Sequence, residues 1–257
     1  MNDRVRIHQF PCLKDNYGVL IHDPETGATA SIDAPEAEAV EAALKQTGWG
    51  LTDILVTHHH FDHTGGIAAL KAAHGARVTG PAGEADKIKT LDKTVADGEI
   101  FKFGSVDVHA IETPGHTLGQ VSYWIPDASV AFTGDTLFAL GCGRVFEGTP
   151  EQMWTSLDRL RKLPPETVIY CGHEYTLANA TFAVTVDPKN TRLHERLHEI
   201  EALRAEGKPT LPTTMEAELA TNPFLRADAE SVQAAVGMPG GDPAAVFTEV
   251  RRRKDSF

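Results

Sequence analysis

The segment THHHFDHTGG at residues 57–66 constrains the chain most strongly, because it places four histidines and an aspartate within six positions. It follows an apolar run at residues 54–56 that predicts a strand, and it precedes a helical pattern. Alternate side chains of an extended segment share one face, and the turn into the helix adds one more histidine to that face. Imidazoles and carboxylates are ligands that zinc, iron and manganese accept. The predicted metal ligands here are His58, His60, Asp62 and His63, whereas His59 faces the other way and is predicted not to be a ligand.

Three more polar residues follow strand patterns. His116 comes after Thr-Pro-Gly, which favours a type II turn, while Asp135 and His173 each follow a strand and a glycine. A glycine lets the backbone approach a crowded centre. Five histidines and two aspartates exceed the needs of one tetrahedral metal. The residues therefore predict two metals, one held by three histidines and one by two histidines and an aspartate, with the second aspartate between them.

Two metals favour hydrolysis by activated water. A bound metal lowers the pKa of water toward about 7, so no protein nucleophile is needed. The chain has no Gly-x-Ser-x-Gly elbow, and a cysteine nucleophile would have to be Cys142 or Cys171. We therefore expect a metal-dependent hydrolase without covalent catalysis.

Charge and composition limit the partners and the compartment. The net charge is -12, which disfavours nucleic acid, and no apolar run is long enough to span a membrane. The N-terminus is charged, and the three cysteines lie far apart, which suits reduced thiols in the cytoplasm. Residues 243–257 carry four basic and two acidic side chains, giving +2 against -14 for the rest, and could hold a small anion.

The pattern of elements changes along the chain. Short apolar strands alternate with helices in the first two thirds, which indicates an α/β or α+β region. The last third reads as helical, with Leu193, Leu197, Ile200 and Leu203 forming an amphipathic stripe. The predicted boundary lies near residue 174, between a domain at 1–173 and a helical domain at 174–257.

Several motifs resemble known families. THHHFDHTGG, TPGHT, FTGDTLF and CGHEYT resemble the metallo-β-lactamase superfamily, and GCGRVFEGT, TNPFLR and RRRKD with the terminal phenylalanine look like glyoxalase II, the hydroxyacylglutathione hydrolases. The resemblance covers essentially the whole chain. It implies an α+β fold, an αββα sandwich in a catalytic domain at 1–173, followed by a helical glutathione-binding domain at 174–257. It also implies a ligand set of His58, His60 and His116 on one metal, Asp62, His63 and His173 on the other, and Asp135 bridging them.

The same resemblance implies a reaction and its partners. The expected substrate is an S-(2-hydroxyacyl)glutathione, typically S-D-lactoylglutathione, cleaved to glutathione and D-lactate in the second step of methylglyoxal detoxification. The attacking group would be a hydroxide held between two divalent metals, zinc first and iron or manganese as alternatives, with no further catalytic residue. We expect a monomer that binds neither nucleic acid nor membrane. The implied glutathione contacts are Arg144, Phe146, Tyr175, Arg251 and Lys254.

Alternatives stay open at this point. A glutathione-persulfide dioxygenase has similar histidine motifs but uses one iron, and the glycine-rich loop and basic terminus argue against it. A nuclease is disfavoured by the acidic charge, and a non-catalytic metal- or thiol-binding module by the complete ligand set. Three positions depart from the glyoxalase II pattern: Arg144 and Phe146 stand where some members carry lysine and tyrosine, and Gln120 where many carry histidine.

Overall fold

The computed structural model describes residues 4–257. The chain packs into two compact units. Unit 1 contains the chain up to Glu112 together with Leu118–Gly134, and unit 2 contains Thr113–Thr117 and Asp135–Phe257. These units are defined by packing alone, so the functional boundary at residue 174 stays a prediction.

The first sheet of unit 1 has six strands in the order of the chain. The first three strands pair antiparallel and the next three continue in parallel, with Ile32 opposite Leu55 at the change of direction. The strands are β1 (Arg6–Cys12), β2 (Asn16–His22), β3 (Thr29–Ile32), β4 (Asp53–Leu55), β5 (Arg77–Pro81) and β6 (Lys93–Val95).

Helices cover this sheet because their apolar faces need burial. The helices of unit 1 are α1 (Ala37–Thr47), α2 (Phe61–Thr64) and α3 (Ile67–His74). Val40 and Leu44 of α1 and Leu70 of α3 join Ile54 of β4 in one buried core. Helices α1 and α3 both end at glycines, Gly48 and Gly75, which adopt the left-handed conformation common at such ends.

A second sheet completes unit 1. It is an antiparallel meander of β7 (Ile100–Phe103), β8 (Val106–Glu112), β9 (Val121–Ile125) and β10 (Val130–Phe132). Two buried polar contacts tie it to the first sheet. The Tyr123 hydroxyl donates to the Val56 carbonyl over 2.7 Å, and the Asp23 carboxylate accepts the Ser105 N–H over 2.6 Å.

Unit 2 is mainly helical. It has a small hairpin of β11 (Leu137–Phe138) and β12 (Gly141–Cys142), and an antiparallel pair of β13 (Val168–Tyr170) and β14 (Thr213–Thr214). Its helices are α4 (Pro150–Leu160), α5 (Thr176–Val186), α6 (Thr191–Ala205), α7 (Met215–Thr221), α8 (Glu230–Ala235) and α9 (Pro243–Asp255).

Short sequence patterns account for some of these helices and not for others. A capping box begins α4, with Thr149 and Gln152 exchanging hydrogen bonds, as the Thr-Pro-Glu-Gln sequence there favours. The stripe on α6 is confirmed, since Leu193 and Ile200 are buried against Ala180 and Ala183 of α5. No periodic polar pattern marks α5 within the helical last third, because its exposed side includes Leu177 and Ala178 and the segment is rich in β-branched residues.

The mixed α+β fold is thus as predicted. Within residues 4–257, the helices are too short or too polar to cross a membrane.

Candidate active site

The histidine-rich segment forms a compact cluster in unit 1. It leaves β4, runs extended through residues 58–60 and enters α2, which carries Asp62 and His63. His58 Nε2 lies 3.1 Å from His60 Nδ1, and His63 Nε2 lies 3.7 Å from Asp62 Oδ2. His58 and His63 are buried, whereas His60 and Asp62 are half-buried. The structure therefore brings together the ligands predicted within this segment.

A buried aspartate behind the cluster orients two of these residues. Asp33 follows β3, and its carboxylate accepts hydrogen bonds from the Thr57 N–H (2.7 Å), the Thr57 hydroxyl (2.8 Å) and His63 Nδ1 (2.7 Å). The Thr57 hydroxyl lies 3.0 Å from His58 Nδ1 and, having donated its proton to Asp33, accepts from that nitrogen. Both histidines then present Nε2 without a proton, as a metal requires. Sequence reasoning missed Asp33, whose one local signal is its place directly after a strand.

His59 has a different partner. Its backbone N–H and its Nδ1 lie 2.6 and 2.9 Å from Glu84 Oε2, and Glu84 is buried. This contact accounts for His59 without a metal, and its non-ligand role stays a prediction.

Unit 2 contains the second cluster. Asp135 Oδ2 lies 3.5 Å from His116 Nε2 and 3.3 Å from His173 Nε2. All three residues are buried. The Arg144 carbonyl lies 2.9 Å from His116 Nδ1 and can only accept, so this nitrogen carries the proton and Nε2 is again left free to ligate.

Glycines make room for these residues. At Gly134, which precedes Asp135 and has φ +48°, a Cβ would lie 2.7 Å from the Thr57 hydroxyl, as the crowding argument predicted. At Gly143 a Cβ would overlap the Asp135 carbonyl. The type II turn predicted before His116 is wrong, because Gly115 has φ +145° and donates its N–H to the Thr117 carbonyl over 2.9 Å. A Cβ at Gly115 would lie 2.7 Å from the Cβ of Met153, so the packing leaves room only for glycine.

The spacing of the donor atoms fits metal coordination. With ligand bonds of about 2.0–2.2 Å, neighbouring ligands around a tetrahedral ion lie about 3.3–3.6 Å apart. The four separations within the clusters, 3.1, 3.7, 3.5 and 3.3 Å, lie in or near this range. Clusters of histidine and aspartate with this spacing imply divalent metal ions.

Three cations predicted to bind glutathione lie close together in unit 2. Lys254 is half-buried, and its ammonium donates to the Ala178 carbonyl over 2.8 Å. Burial, and then the positive charges of Arg251 and Arg144, lower the pKa of Lys254 to about 8. Such mutual repulsion is relieved by an anion, so this cation cluster of Arg144, Arg251 and Lys254 is suited to one.

Arg251 is more enclosed than its place near a helix end suggested. It is 6% exposed, and its guanidinium lies 2.7 Å from Asp255 Oδ1 and donates to the Cys142 carbonyl over 3.1 Å. Arg251 therefore also links α9 to the loop that carries Arg144. Of its neighbours, Arg252 is exposed, whereas Arg253 is half-buried and donates to the Ala235 and Val236 carbonyls at the end of α8.

Two aromatic side chains predicted to contact glutathione are accessible. Phe146 is 62% exposed with its ring 5.2 Å from that of His116, and Tyr175 is 37% exposed and stacks on His173 at 4.7 Å. Both therefore lie beside candidate metal ligands of the same unit.

The cysteines do not suit nucleophilic catalysis. All three are free and buried, and burial raises the pKa of Cys142 to about 11 and that of Cys171 to about 12. A thiol with such a pKa is almost entirely protonated near neutral pH.

Comparison with known proteins first identifies the superfamily to which this chain belongs. The model of the "Metallo-beta-lactamase superfamily" matches residues 23–173. Two solved structures are similar to this fold. ETHE1 from Myxococcus xanthus has a TM-score of 0.69 and 26% identity, covering 96% of this chain and 90% of its own. The BLEG-1 B3 metallo-beta-lactamase has a TM-score of 0.66 and 22% identity, covering 86% and 99%. The fold and its histidine clusters are therefore those of the metallo-beta-lactamase superfamily.

The last third of the chain identifies the family within this superfamily. The model of the "Hydroxyacylglutathione hydrolase C-terminus" matches residues 174–257. Proteins named hydroxyacylglutathione hydrolase from Brucella anthropi and Brucella ovis are 56% and 54% identical to this chain, covering 99% and 100% of it and 98% and 100% of their own lengths. The chain belongs to the hydroxyacylglutathione hydrolase family, which confirms the predicted resemblance.

Proposed function

We propose that this protein hydrolyses S-(2-hydroxyacyl)glutathione thioesters, typically S-D-lactoylglutathione, to glutathione and a 2-hydroxy acid such as D-lactate. The observation that carries the proposal is the cation cluster and its tie to a candidate metal ligand. Arg144 belongs to that cluster, and its carbonyl accepts a hydrogen bond from His116. A thioester with two carboxylates on its thiol portion matches this pairing of positive charge and metal ligand.

Two divalent ions are proposed to occupy the two clusters. Asp135 Oδ2 lies 3.5 Å from His116 Nε2 and 3.3 Å from His173 Nε2, and this closeness to two histidines supports a bridging role. The proposed sets are His58, His60 and His116 for one ion, and Asp62, His63 and His173 for the other. When bound, such ions lower the pKa of water and polarise the thioester carbonyl. Zinc is the first candidate, with iron and manganese as alternatives that use the same ligand types.

The other proposed roles concern substrate binding. Positive charge for the carboxylates of glutathione would come from Arg144, Arg251 and Lys254. Exposed aromatic rings that can contact its methylene groups are those of Phe146 and Tyr175. A thiolate is a good leaving group, so the departing sulfur needs no strong general acid. Asp33 keeps the protons of His58 and His63 on the nitrogens that face away from the proposed ions.

The test is the loss of thioester absorbance of S-D-lactoylglutathione with purified protein, before and after chelation, with metal content measured on the same sample. Chelator-sensitive turnover with close to two metals per chain supports the proposal. Oxygen consumption with glutathione persulfide at one iron per chain would instead support the dioxygenase alternative. Protein that carries two metals and leaves the thioester intact would refute the substrate assignment.

The cellular compartment is inferred from the state of the cysteines. The three cysteines are unpaired, which suits a reducing compartment, and we infer the cytoplasm. A monomer without nucleic-acid or membrane partners stays our prediction.

A further inference from the structure

The hairpin of β11 and β12, residues 137–142, has too little pairing of its own to be rigid. Each strand has only two residues, and Leu140 at the turn has φ +56°. Yet the hairpin separates Asp135, the proposed bridging ligand, from the exposed segment of Arg144 and Phe146. Its conformation must therefore be fixed by other parts of the chain.

Asn222 holds both strands of the hairpin from outside. It is fully buried, and its Nδ2 donates to the Phe138 carbonyl over 3.1 Å and to the Gly141 carbonyl over 3.0 Å. Asn179 reaches the turn between them and donates to the Ala139 carbonyl over 3.1 Å. One amide that bonds both strands fixes their separation as well as their position.

Glu218 holds the turn and the amide together. Its Oε2 accepts the Leu140 N–H over 2.8 Å and lies 2.9 Å from Asn222 Nδ2. The carboxylate is fully buried, and its other oxygen accepts from Arg196 and, over 2.8 Å, from the Thr213 hydroxyl. A buried carboxylate with both oxygens bonded is a rigid anchor.

The two ends of the hairpin differ in the burial of the side chains beyond them. On the Asp135 side, the Thr136 hydroxyl bonds the carbonyl and the hydroxyl of Thr113, each over 3.1 Å, and Asp135 itself is buried. On the other side, Arg251 bonds the Cys142 carbonyl and His116 bonds the Arg144 carbonyl, but the side chains of Arg144 and Phe146 are exposed. Loosening the hairpin should therefore shift the exposed segment more than Asp135.

We propose that Glu218 and Asn222 are positioning residues that hold the hairpin, and through it the segment of Arg144 and Phe146, in the register that binds glutathione. This inference rests on the proposed function for its substrate. It also gives the TNPFLR motif, which contains Asn222, a physical role that the sequence left open.

The test compares Asn222→Ala with the matched control Asn190→Ala. Asn190 is in the same unit and also donates two side-chain hydrogen bonds, to Asp187 (2.9 Å) and the Ala220 carbonyl (2.8 Å), while capping α6. Loss of the side-chain hydrogen bonds should destabilise both variants. Only Asn222→Ala should raise KM for S-D-lactoylglutathione, by about tenfold, with kcat within about twofold and two metals retained.

Contrary results are well defined. Equal changes of KM in the two variants, an unchanged KM in Asn222→Ala, or a fall in kcat with loss of metal would each overturn the inference. If Asn222→Ala does not fold, Glu218→Gln takes its place, because the amide keeps the size of the side chain while removing the charge that Arg196 and Leu140 bond.

A second readout separates this inference from the proposed function. Hydrogen exchange of residues 137–148 should be faster in Asn222→Ala and unchanged in Asn190→Ala, whatever the substrate. Wild-type protein that fails to cleave S-D-lactoylglutathione but shows this exchange pattern would sink the proposed function and leave the hairpin anchor standing. Cleavage by the wild type, together with identical exchange in both variants, would support the proposed function and refute the hairpin inference.

Discussion

If Lys254 binds glutathione as proposed, its depressed pKa should make that binding sensitive to pH in a range where few side chains titrate. Burial and the charges of Arg251 and Arg144 hold that pKa at about 8 in the free protein. Lysine is charged below its pKa, so the binding-competent cation is nearly complete at pH 7 and is lost as the pH rises. At pH 9 only about one tenth remains charged, so kcat/KM should fall about tenfold between pH 7 and pH 9.

The assay is the initial rate of S-D-lactoylglutathione cleavage at low substrate from pH 6.5 to 9.5, with the uncatalysed rate subtracted. Because kcat/KM reports the groups of the free protein, the loss should appear there and be smaller in kcat. Lys254→Arg should keep a flat profile to pH 9, since its guanidinium stays charged. Lys254→Met should be flat at a low value. A wild-type profile without a fall near pH 8, or the same fall in Lys254→Arg, would refute the reasoning.

Three further predictions address the metal site and the fold. Asp135→Ala should lower kcat/KM by several orders of magnitude and reduce metal content by at least one ion, so near-normal turnover with two metals would contradict the bridging role. Asp33→Asn should weaken metal binding by about 10- to 100-fold in a chelator competition, because an amide can no longer accept from both His63 and Thr57 in the same way; unchanged affinity would argue against it. For Asp23, burial would raise the pKa, but hydrogen bonds from Thr26, Ser105 and Glu25 outweigh burial and lower it to about 2. A depressed carboxyl pKa stabilises the fold above about pH 4, so Asp23→Asn should cost about 2 kcal/mol of unfolding free energy at pH 7, measured in denaturant. That difference should shrink between pH 4 and pH 2, and a pH-independent difference would show that charge is not its origin.

Much of the site could be predicted because its signals are local. The ligands at 58–63 lie on one turn from strand to helix, so the two-residue period of an extended chain was enough to group them. The glycine before Asp135 and the capping box of α4 are likewise properties of a few neighbouring residues. The motifs that mark the family are of the same kind, and both family models confirm what they predicted.

Two features of the fold could not be predicted from local sequence. The exposed side of helix α5 carries Leu177, Ala178 and two threonines and no charged residue, so the helix lacks the polar stripe that marks most surface helices. Arg253 donates to two carbonyls at the end of α8, and its charge alone does not reveal these acceptors, which lie 17 and 18 residues away in the chain.

The sequence by itself determined the class of the protein, the candidate metal ligands and the cationic character of the C-terminal segment. Tertiary structure decided which residues orient them. Asp33 bonds His63 across 30 residues, Glu218 bonds Leu140 across 78, and Asn222 bonds Phe138 across 84. A buried carboxylate or amide has no periodic signature in sequence, because its role depends on the acceptor or donor that folding brings to it. The sequence therefore identifies the candidate ligands, whereas contacts that form only when the chain folds set the orientation of their side chains.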